Sequence, residues 1–255
     1  MNYSLKTHQG KRKDNQDYTG VFFNQSGLLL AVLCDGLGGH QAGDIASEMA
    51  VSQIGNAWSE TDFSLGDTYL VQKWLNEKIN RENMRIYDAA NAYKDLEGMG
   101  TTLVACVVFR DQILFSNIGD SRAYTYQDGQ MHLITEDHSF VSELQRRGEI
   151  TDAEAMHHYN KNALTRSLGV KGAIEVDFFK ILKKPVDFVL LNSDGLSNVV
   201  EQEEMIQILQ QEELALDEKA DLLIETALKN DATDNITVNL IEVNSVAQQE
   251  VGERQ

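Results

Sequence analysis

The chain has 255 residues, of which 42% are hydrophobic and 24% are charged, which is enough apolar material for one large domain with a buried core. Its 40 acidic residues outnumber its 22 basic residues, and the formal net charge of -18 opposes nucleic acid and anionic membrane surfaces as partners. One proline and no Pro/Gly/Ser-rich stretch predict a single domain over residues 1–244, followed by a polar C-terminal tail at 245–255.

The N-terminal residues 1–17 contain lysines but no apolar run. Nowhere does the sequence contain the run of about 18 apolar residues that a membrane span needs. We therefore expect no signal peptide, no membrane span and a cytoplasmic location.

Cys34 and Cys106 stand inside apolar runs, which predicts small buried side chains rather than a disulfide. Neither cysteine is followed by arginine six residues later, which excludes the loop of the cysteine-nucleophile phosphatases.

The first strand-length apolar run, at 28–34, stops at Asp35-Gly36, and three glycines lie in the loop that follows. Apolar residues at helical spacing then predict one helix over 44–58 and a longer one over 67–93. This order indicates a buried strand, a glycine loop and helices that cover a sheet.

The sequence then changes to short β-prone runs at 101–109, 113–118, 122–126 and 131–134, which predict an antiparallel meander. A short helix is predicted at 138–148.

A further helix is predicted after Thr151, whose Thr-x-x-Glu spacing suits a capping box. Residues 159–170 have only weak periodicity, and we interpret them as a mobile segment. The remaining predicted elements are a strand, two helices and a last strand, at 186–192, 201–211, 217–229 and 236–243. Together these elements predict an α+β fold with helices packed outside mostly antiparallel sheets.

Four aspartates stand at the ends of predicted strands, at Asp35, Asp120, Asp194 and Asp234. In an antiparallel sheet the last residue of one strand lies beside the first residue of its neighbour, so the four can meet at one edge. Carboxylates that meet raise one another's pKa unless a cation neutralises them. Hard oxygen ligands suit Mg²⁺ or Mn²⁺, and the sequence has no His/Cys set with zinc spacing.

A single Asp-Gly pair is a turn signal, and Asp128-Gly129 is predicted to be only a hairpin. Similarly, the basic segment 10–17 would by itself be a solvated turn. Beside four clustered aspartates, however, Arg12 becomes a bidentate clamp for a phosphoryl group, and Asp17 becomes a residue that holds a metal-bound water.

Seven motifs, in this order, resemble those of the metal-dependent protein phosphatases of type 2C. They are Arg12-x-x-Asn15-Gln16-Asp17, Asp35-Gly36-x-Gly38-Gly39-His40, Gly98-x-Gly100-Thr101-Thr102, Gly119-Asp120-Ser121-Arg122, Asp137-His138-Ser139, Ser193-Asp194-Gly195-Leu196 and Asp234-Asn235-Ile236-Thr237. The resemblance covers nearly the whole chain. Within the family, the chain is most similar to the short bacterial Ser/Thr phosphatases that oppose eukaryotic-type protein kinases.

The resemblance implies a four-layer αββα sandwich, with two mainly antiparallel sheets between helices, and a centre of two Mn²⁺ or Mg²⁺ ions. Asp35 would bridge the two ions, the Gly36 carbonyl would bind one, and Asp194 and Asp234 would bind the other. In bacterial members Asp120, together with Asp194, would hold a weaker third metal.

The implied reaction is hydrolysis of phosphoserine and phosphothreonine by in-line attack of a hydroxide that bridges the metals, while Arg12 holds the phosphoryl oxygens. No covalent enzyme intermediate is needed. Segment 140–170 matches the variable flap of the family. The implied partners are phosphorylated proteins, including a eukaryotic-type Ser/Thr kinase and its substrates, and we expect a monomer.

The chain departs from the family pattern at two points. Leu37 stands where eukaryotic relatives have a histidine proposed as general acid, so a metal-bound water would have to protonate the leaving oxygen, with His40 as the nearest alternative. One residue instead of two separates Gly10 from Arg12, and Lys13 is the alternative clamp.

Two other functions stay open. The first is a catalytically silent phosphoprotein- or metal-binding module of the same fold, although the chain keeps all the core ligands whose loss would mark one. The second is a two-metal hydrolase of small phosphoesters or nucleotides.

Overall fold

Eleven strands and seven α-helices make up the part of the chain that the structure, a computed structural model, describes: residues 1–38 and 42–243. The strands are β1 (Asn2–His8), β2 (Asp17–Phe23), β3 (Leu29–Leu37), β4 (Gly100–Thr101), β5 (Leu103–Val108), β6 (Gln112–Ile118), β7 (Arg122–Gln127), β8 (Gln130–Leu133), β9 (Asp177–Leu182), β10 (Phe188–Asn192) and β11 (Ile236–Glu242). The helices are α1 (Ala42–Ser59), α2 (Thr68–Ala92), α3 (Phe140–Arg146), α4 (Asp152–Met156), α5 (Asp194–Ser197), α6 (Gln202–Leu209) and α7 (Leu216–Lys229).

The strands form two sheets. One has the order β1-β11-β10-β7-β8, and the other has the order β2-β3-β5-β6-β9 with the short β4 paired to β3. All of these pairings are antiparallel. Helices α1 and α2 pack on the six-stranded sheet, and α6 and α7 pack on the five-stranded sheet. The predicted α+β class and the αββα layering are confirmed.

Strand β3 is buried on both faces, which explains why residues 28–34 are continuously apolar. Val32 packs in the core beneath α1 and α2, whereas Leu33 packs in the core between the two sheets. Side chains alternate along a strand, so burial on both faces removes the alternating pattern. Cys34 and Cys106 are unpaired and buried, as predicted, and they lie in these two different cores.

Three strands, β1, β2 and β9, are absent from the sequence prediction, and all three lie at sheet edges. Most of their residues are exposed or only partly buried, so their apolar pattern is weak. The fourth edge strand, β8, is predicted correctly because Asp128-Gly129 is a hairpin signal directly before it. The other predicted elements lie within a few residues of their observed bounds.

The segment at 140–170 contains α3 and α4. Residues 157–170, which follow α4, form no regular helix or strand, and we call them the return of this segment. The Thr151 side chain accepts a hydrogen bond from Glu154 N, and the Glu154 side chain accepts one from Thr151 N, so the predicted capping box is confirmed. The return is anchored at its end, because Leu168 N donates to Thr101 O at 2.8 Å and the Asn83 side chain accepts from Gly169 N at 2.9 Å.

Within residues 1–38 and 42–243, no helix has both the length and the apolar character that crossing a membrane requires. The tail predicted at 245–255 lies outside the described residues.

Candidate metal centre

One end of the two sheets forms a pocket of about 410 Å³. Strands β3 and β10 end there, β11 begins there, and the turn between β6 and β7 reaches the same place. The lining includes all four of the predicted aspartates, Asp35, Asp120, Asp194 and Asp234. The antiparallel topology therefore brings them together, as the sequence predicts.

The main chain of Asp35 is held by hydrogen bonds with two threonines, which fixes the position from which its side chain extends. Asp35 N donates to Thr102 Oγ1 at 2.9 Å, and Asp35 O accepts from Thr101 Oγ1 at 2.9 Å. The next residue, Gly36, has no room for a side chain, because an added Cβ would lie 2.1 Å from Gly43 O. Both Asp35 and Gly36 line the pocket.

Asp17 is 6% exposed and is paired directly with Asp35 in the β2–β3 register. Its Oδ2 accepts from Ser193 Oγ at 2.7 Å, whereas its Oδ1 is buried with no hydrogen-bond partner among the described residues. Burial, with the charges of Asp194 and Asp234, raises the pKa of Asp17 to about 7. Asp17 therefore lies beside the site with one carboxylate oxygen uncommitted, although it is not part of the pocket lining.

Asp194 begins α5 and repeats this pattern. Its Oδ2 accepts from Asn198 Nδ2 at 2.9 Å, and its buried Oδ1 has no partner in the described part of the chain. Burial, followed by the charge of Asp234, raises the pKa of Asp194 to about 6. Burial and the charge of Asp17 raise the pKa of Asp35 well above its ordinary value.

Asp120 lies in the turn between β6 and β7. Burial, followed by the charge of Asp194, raises its pKa to about 7. The turn is braced by two contacts: Ser121 Oγ lies 2.7 Å from Thr102 Oγ1, and Arg122 Nη2 donates to Asp137 Oδ2 at 2.7 Å.

This set of side chains suits a divalent cation. Buried carboxylates without partners are costly as anions, and a cation relieves the cost by pairing with the free oxygens. Carboxylate and carbonyl oxygens are the ligands that Mg²⁺ and Mn²⁺ prefer. No three His, Cys, Asp or Glu side chains within the described ranges are arranged to hold one ion by themselves, so a bound ion would also need carbonyl or water oxygens.

Arg12 lies in the pocket lining, where its Nη2 donates to Asp234 Oδ2 at 2.6 Å. This hydrogen bond raises the pKa of Arg12 above its ordinary value. Gly10, two positions before Arg12, has φ +60° and packs against the main chain of Asp234, where an added Cβ would lie 2.0 Å from Asp234 O. Lys13, the alternative clamp, also lines the pocket.

Asn235 is a site residue whose role the sequence does not reveal. Its Oδ1 accepts from Gln16 N at 2.8 Å, and its Nδ2 donates to Gln9 O and Asp14 O, both at 2.9 Å. One side chain thus shapes the loop that carries Arg12. The only signal in the sequence is an amide directly after a predicted metal ligand.

Two more lining residues, Asn162 and Leu164, come from the return of the 140–170 segment. The predicted position of this segment beside the site is consistent with them. Leu37 also lines the pocket and has no proton to transfer. His40 lies outside the described residues, between 38 and 42.

Comparisons with known proteins show which family the chain is similar to. The family model described as Protein phosphatase 2C matches residues 6–230. The chain is 44% identical to the serine/threonine phosphatase stp of Listeria welshimeri, over 96% of each chain. It is similar to the crystal structure of the serine/threonine phosphatase Stp1 from Staphylococcus aureus, with a TM-score of 0.90, 34% identity and 95% of each chain covered. The catalytic domain of the phosphatase PstP in complex with two manganese ions matches with a TM-score of 0.81 and 32% identity, over 96% of this chain and 98% of that one.

Proposed function

Because the chain belongs to the protein phosphatase 2C family, we propose that it is a metal-dependent protein serine/threonine phosphatase. The observation that carries the proposal is a group of aspartates that line one pocket, with Asp17 buried directly beside them; of these, Asp17 and Asp194 each have a buried carboxylate oxygen without a partner among the described residues. An arginine stands at the same pocket. Such a site can bind divalent cations and a phosphoryl group together.

In this proposal the metal ligands are Asp35, the Gly36 carbonyl, Asp194 and Asp234, around two Mn²⁺ or Mg²⁺ ions. Asp120, with Asp194, serves a third ion. When bound, the ions polarise the phosphoryl oxygens and make water acidic enough to attack phosphorus near neutral pH.

The chain's own residues supply binding and orientation. Arg12 holds phosphoryl oxygens once its partner Asp234 is neutralised by a cation, because the guanidinium fork matches a phosphate as well as a carboxylate. Asp17 keeps one oxygen free to accept a hydrogen bond from water, while Ser193 fixes the other. Leu37 supplies no proton, so the leaving serine or threonine oxygen takes its proton from water.

Phosphorylated proteins are the proposed substrates, among them a eukaryotic-type Ser/Thr kinase and its targets, acted on by a monomer in the cytoplasm. The relatives named as serine/threonine phosphatases support a protein substrate. Domain limits of 1–244 and a flap at 140–170 belong to the same proposal.

The test uses purified protein with Mn²⁺, offered a phosphothreonine peptide, a phosphotyrosine peptide and nucleotides, with an Asp194→Asn variant as the matched control. We expect phosphate release from the phosphothreonine peptide by the native protein and its loss in the variant. Preference for nucleotides would instead support a small-phosphoester hydrolase. Metal binding without turnover of any substrate would support the silent module.

A further inference from the structure

His138 is buried, at 1% exposure, and binds both polar groups of Gly119, the residue before Asp120. His138 N donates to Gly119 O at 2.9 Å, and Gly119 N donates to His138 Nδ1 at 3.1 Å. Gly119 has φ +102°, and a Cβ added to it would lie 2.6 Å from the Thr102 side chain. The main chain that presents Asp120 is therefore held in an unusual conformation by His138, while Asn117 Nδ2 is a second donor to Gly119 O at 3.3 Å.

The same residue contacts the return of the 140–170 segment. His138 O accepts from Thr165 N at 2.8 Å, and Phe140 N donates to Ala163 O at 2.8 Å. Asn162 and Leu164, which line the pocket, lie in this hydrogen-bonded stretch. His138 thus lies between the turn that carries Asp120 and the segment that forms the pocket rim.

The hydrogen bonds fix which ring nitrogen of His138 carries the proton. Because Nδ1 accepts from Gly119 N, the proton is on Nε2, which faces Asp177 Oδ2 at 2.9 Å. Arg166 Nη1 donates to Asp177 Oδ1 at 2.8 Å, so Asp177 is shared by two donors. The 3.4 Å approach of Arg166 to Nε2 is then a contact between two donors and no bond.

We propose that His138 is a positioning residue that holds the Asp120 turn and the pocket rim in a fixed relation, with its ring oriented by Asp177 and Arg166. This inference rests on the proposed phosphatase function. It differs from a purely structural role, because the two ring nitrogens act on different parts of the site. Nδ1 accepts a hydrogen bond from Gly119 N, and Nε2 donates one to Asp177, which also forms an ion pair with Arg166 of the return segment.

Two substitutions separate the roles of the two nitrogens. The amide oxygen of His138→Asn can take the place of Nδ1, whereas the amide of His138→Gln reaches the place of Nε2. We expect His138→Gln to lower kcat about tenfold on both p-nitrophenyl phosphate and a phosphothreonine peptide, since the lost hydrogen bond loosens the Asp120 turn.

In contrast, His138→Asn should keep kcat within about threefold and raise the KM for the phosphopeptide about fivefold, with little change in KM for p-nitrophenyl phosphate. Asp177→Asn and Arg166→Gln retain His138 and should show the same selective rise in the phosphopeptide KM. These two variants also test the proposal if the His138 variants fold poorly.

A measurement without metal tests the geometry itself. In the metal-free protein at pH 7.5, imidazole ¹⁵N shifts should show the proton on Nε2 of His138. The Gly119 amide should exchange with solvent faster in His138→Gln than in His138→Asn. A proton on Nδ1, or kinetic losses that are equal in both variants and follow their Tm values, would overturn the inference. An inactive native protein with the expected NMR results would refute only the phosphatase proposal.

Discussion

Asp17 and Asp35 face each other across the β2–β3 pair, one on each strand and in direct register. Burial raises the pKa of both, and the charge of Asp17 adds to the rise at Asp35, whereas the charges of Asp194 and Asp234 add to the rise at Asp17. The metal-free site is therefore under electrostatic repulsion at neutral pH, and its stability depends on which protons or cations it holds.

The first prediction concerns Asp17→Asn. The change removes one buried charge and keeps the shape of the side chain. At pH 8 in EDTA we expect the metal-free variant to be more stable by about 1–2 kcal/mol, a gain of about 4 °C in Tm. With Mn²⁺ present, phosphatase activity should fall at least about tenfold, because the amide oxygen is used by the Ser193 hydrogen bond and an NH₂ group replaces the uncommitted Oδ1. A variant less stable than the native protein without metal would contradict this account.

The second prediction is the pH dependence of metal-free stability. The pKa values of Asp17 and Asp120 are raised to about 7 and that of Asp194 to about 6, from an ordinary value near 3.8. Between these limits the folded state binds more protons than the unfolded state, so stability falls as pH rises from about 4 to about 7. Urea unfolding in EDTA at pH 5, 6, 7 and 8 measures the slope.

The control for this pH dependence is Asp120→Asn, because the acidic surface of the whole chain also contributes to the slope. The variant keeps that surface and should flatten the slope measured in EDTA. Mn²⁺ should reverse the trend in the native protein, since cations bind the ionised carboxylates. A slope unchanged in the variant would assign the effect to the surface alone.

The third prediction ranks the aspartates. If Asp120 serves an accessory ion, Asp120→Ala should keep two Mn²⁺ bound in equilibrium dialysis and lose most activity. Asp35→Asn should instead weaken binding of the first two ions, because Asp35 is the proposed bridge between them. Loss of all metal binding in Asp120→Ala would overturn the ranking.

The fourth prediction concerns Arg12. Arg12→Lys keeps the charge and loses the planar fork, so we expect KM for a phosphothreonine peptide to rise about tenfold. Lys13→Ala is the matched control in the same loop and should change KM less than about threefold. If Lys13→Ala gave the larger effect, Lys13 would be the phosphate clamp.

Much of this site could be predicted from the sequence because the strand that leads to Asp35 is buried on both faces and the turn residues mark strand ends. Topology then brings distant aspartates to one edge. The edge strands β1, β2 and β9 escape prediction because exposed edges need no strong apolar pattern. Side-chain hydrogen bonds such as those of Thr102 and Asn235 are also hidden, since polar residues in loops look alike until the fold selects their partners.

The two thiols in different cores have a consequence for oxidative stress. Burial raises the pKa of Cys34 and of Cys106, so little reactive thiolate is present, and the sheet between them prevents a disulfide. Peroxide inactivates phosphatases that attack with a cysteine, because it oxidises their exposed thiolate. A phosphatase built on aspartates, with its thiols shielded, would continue to remove phosphate while such enzymes are silenced.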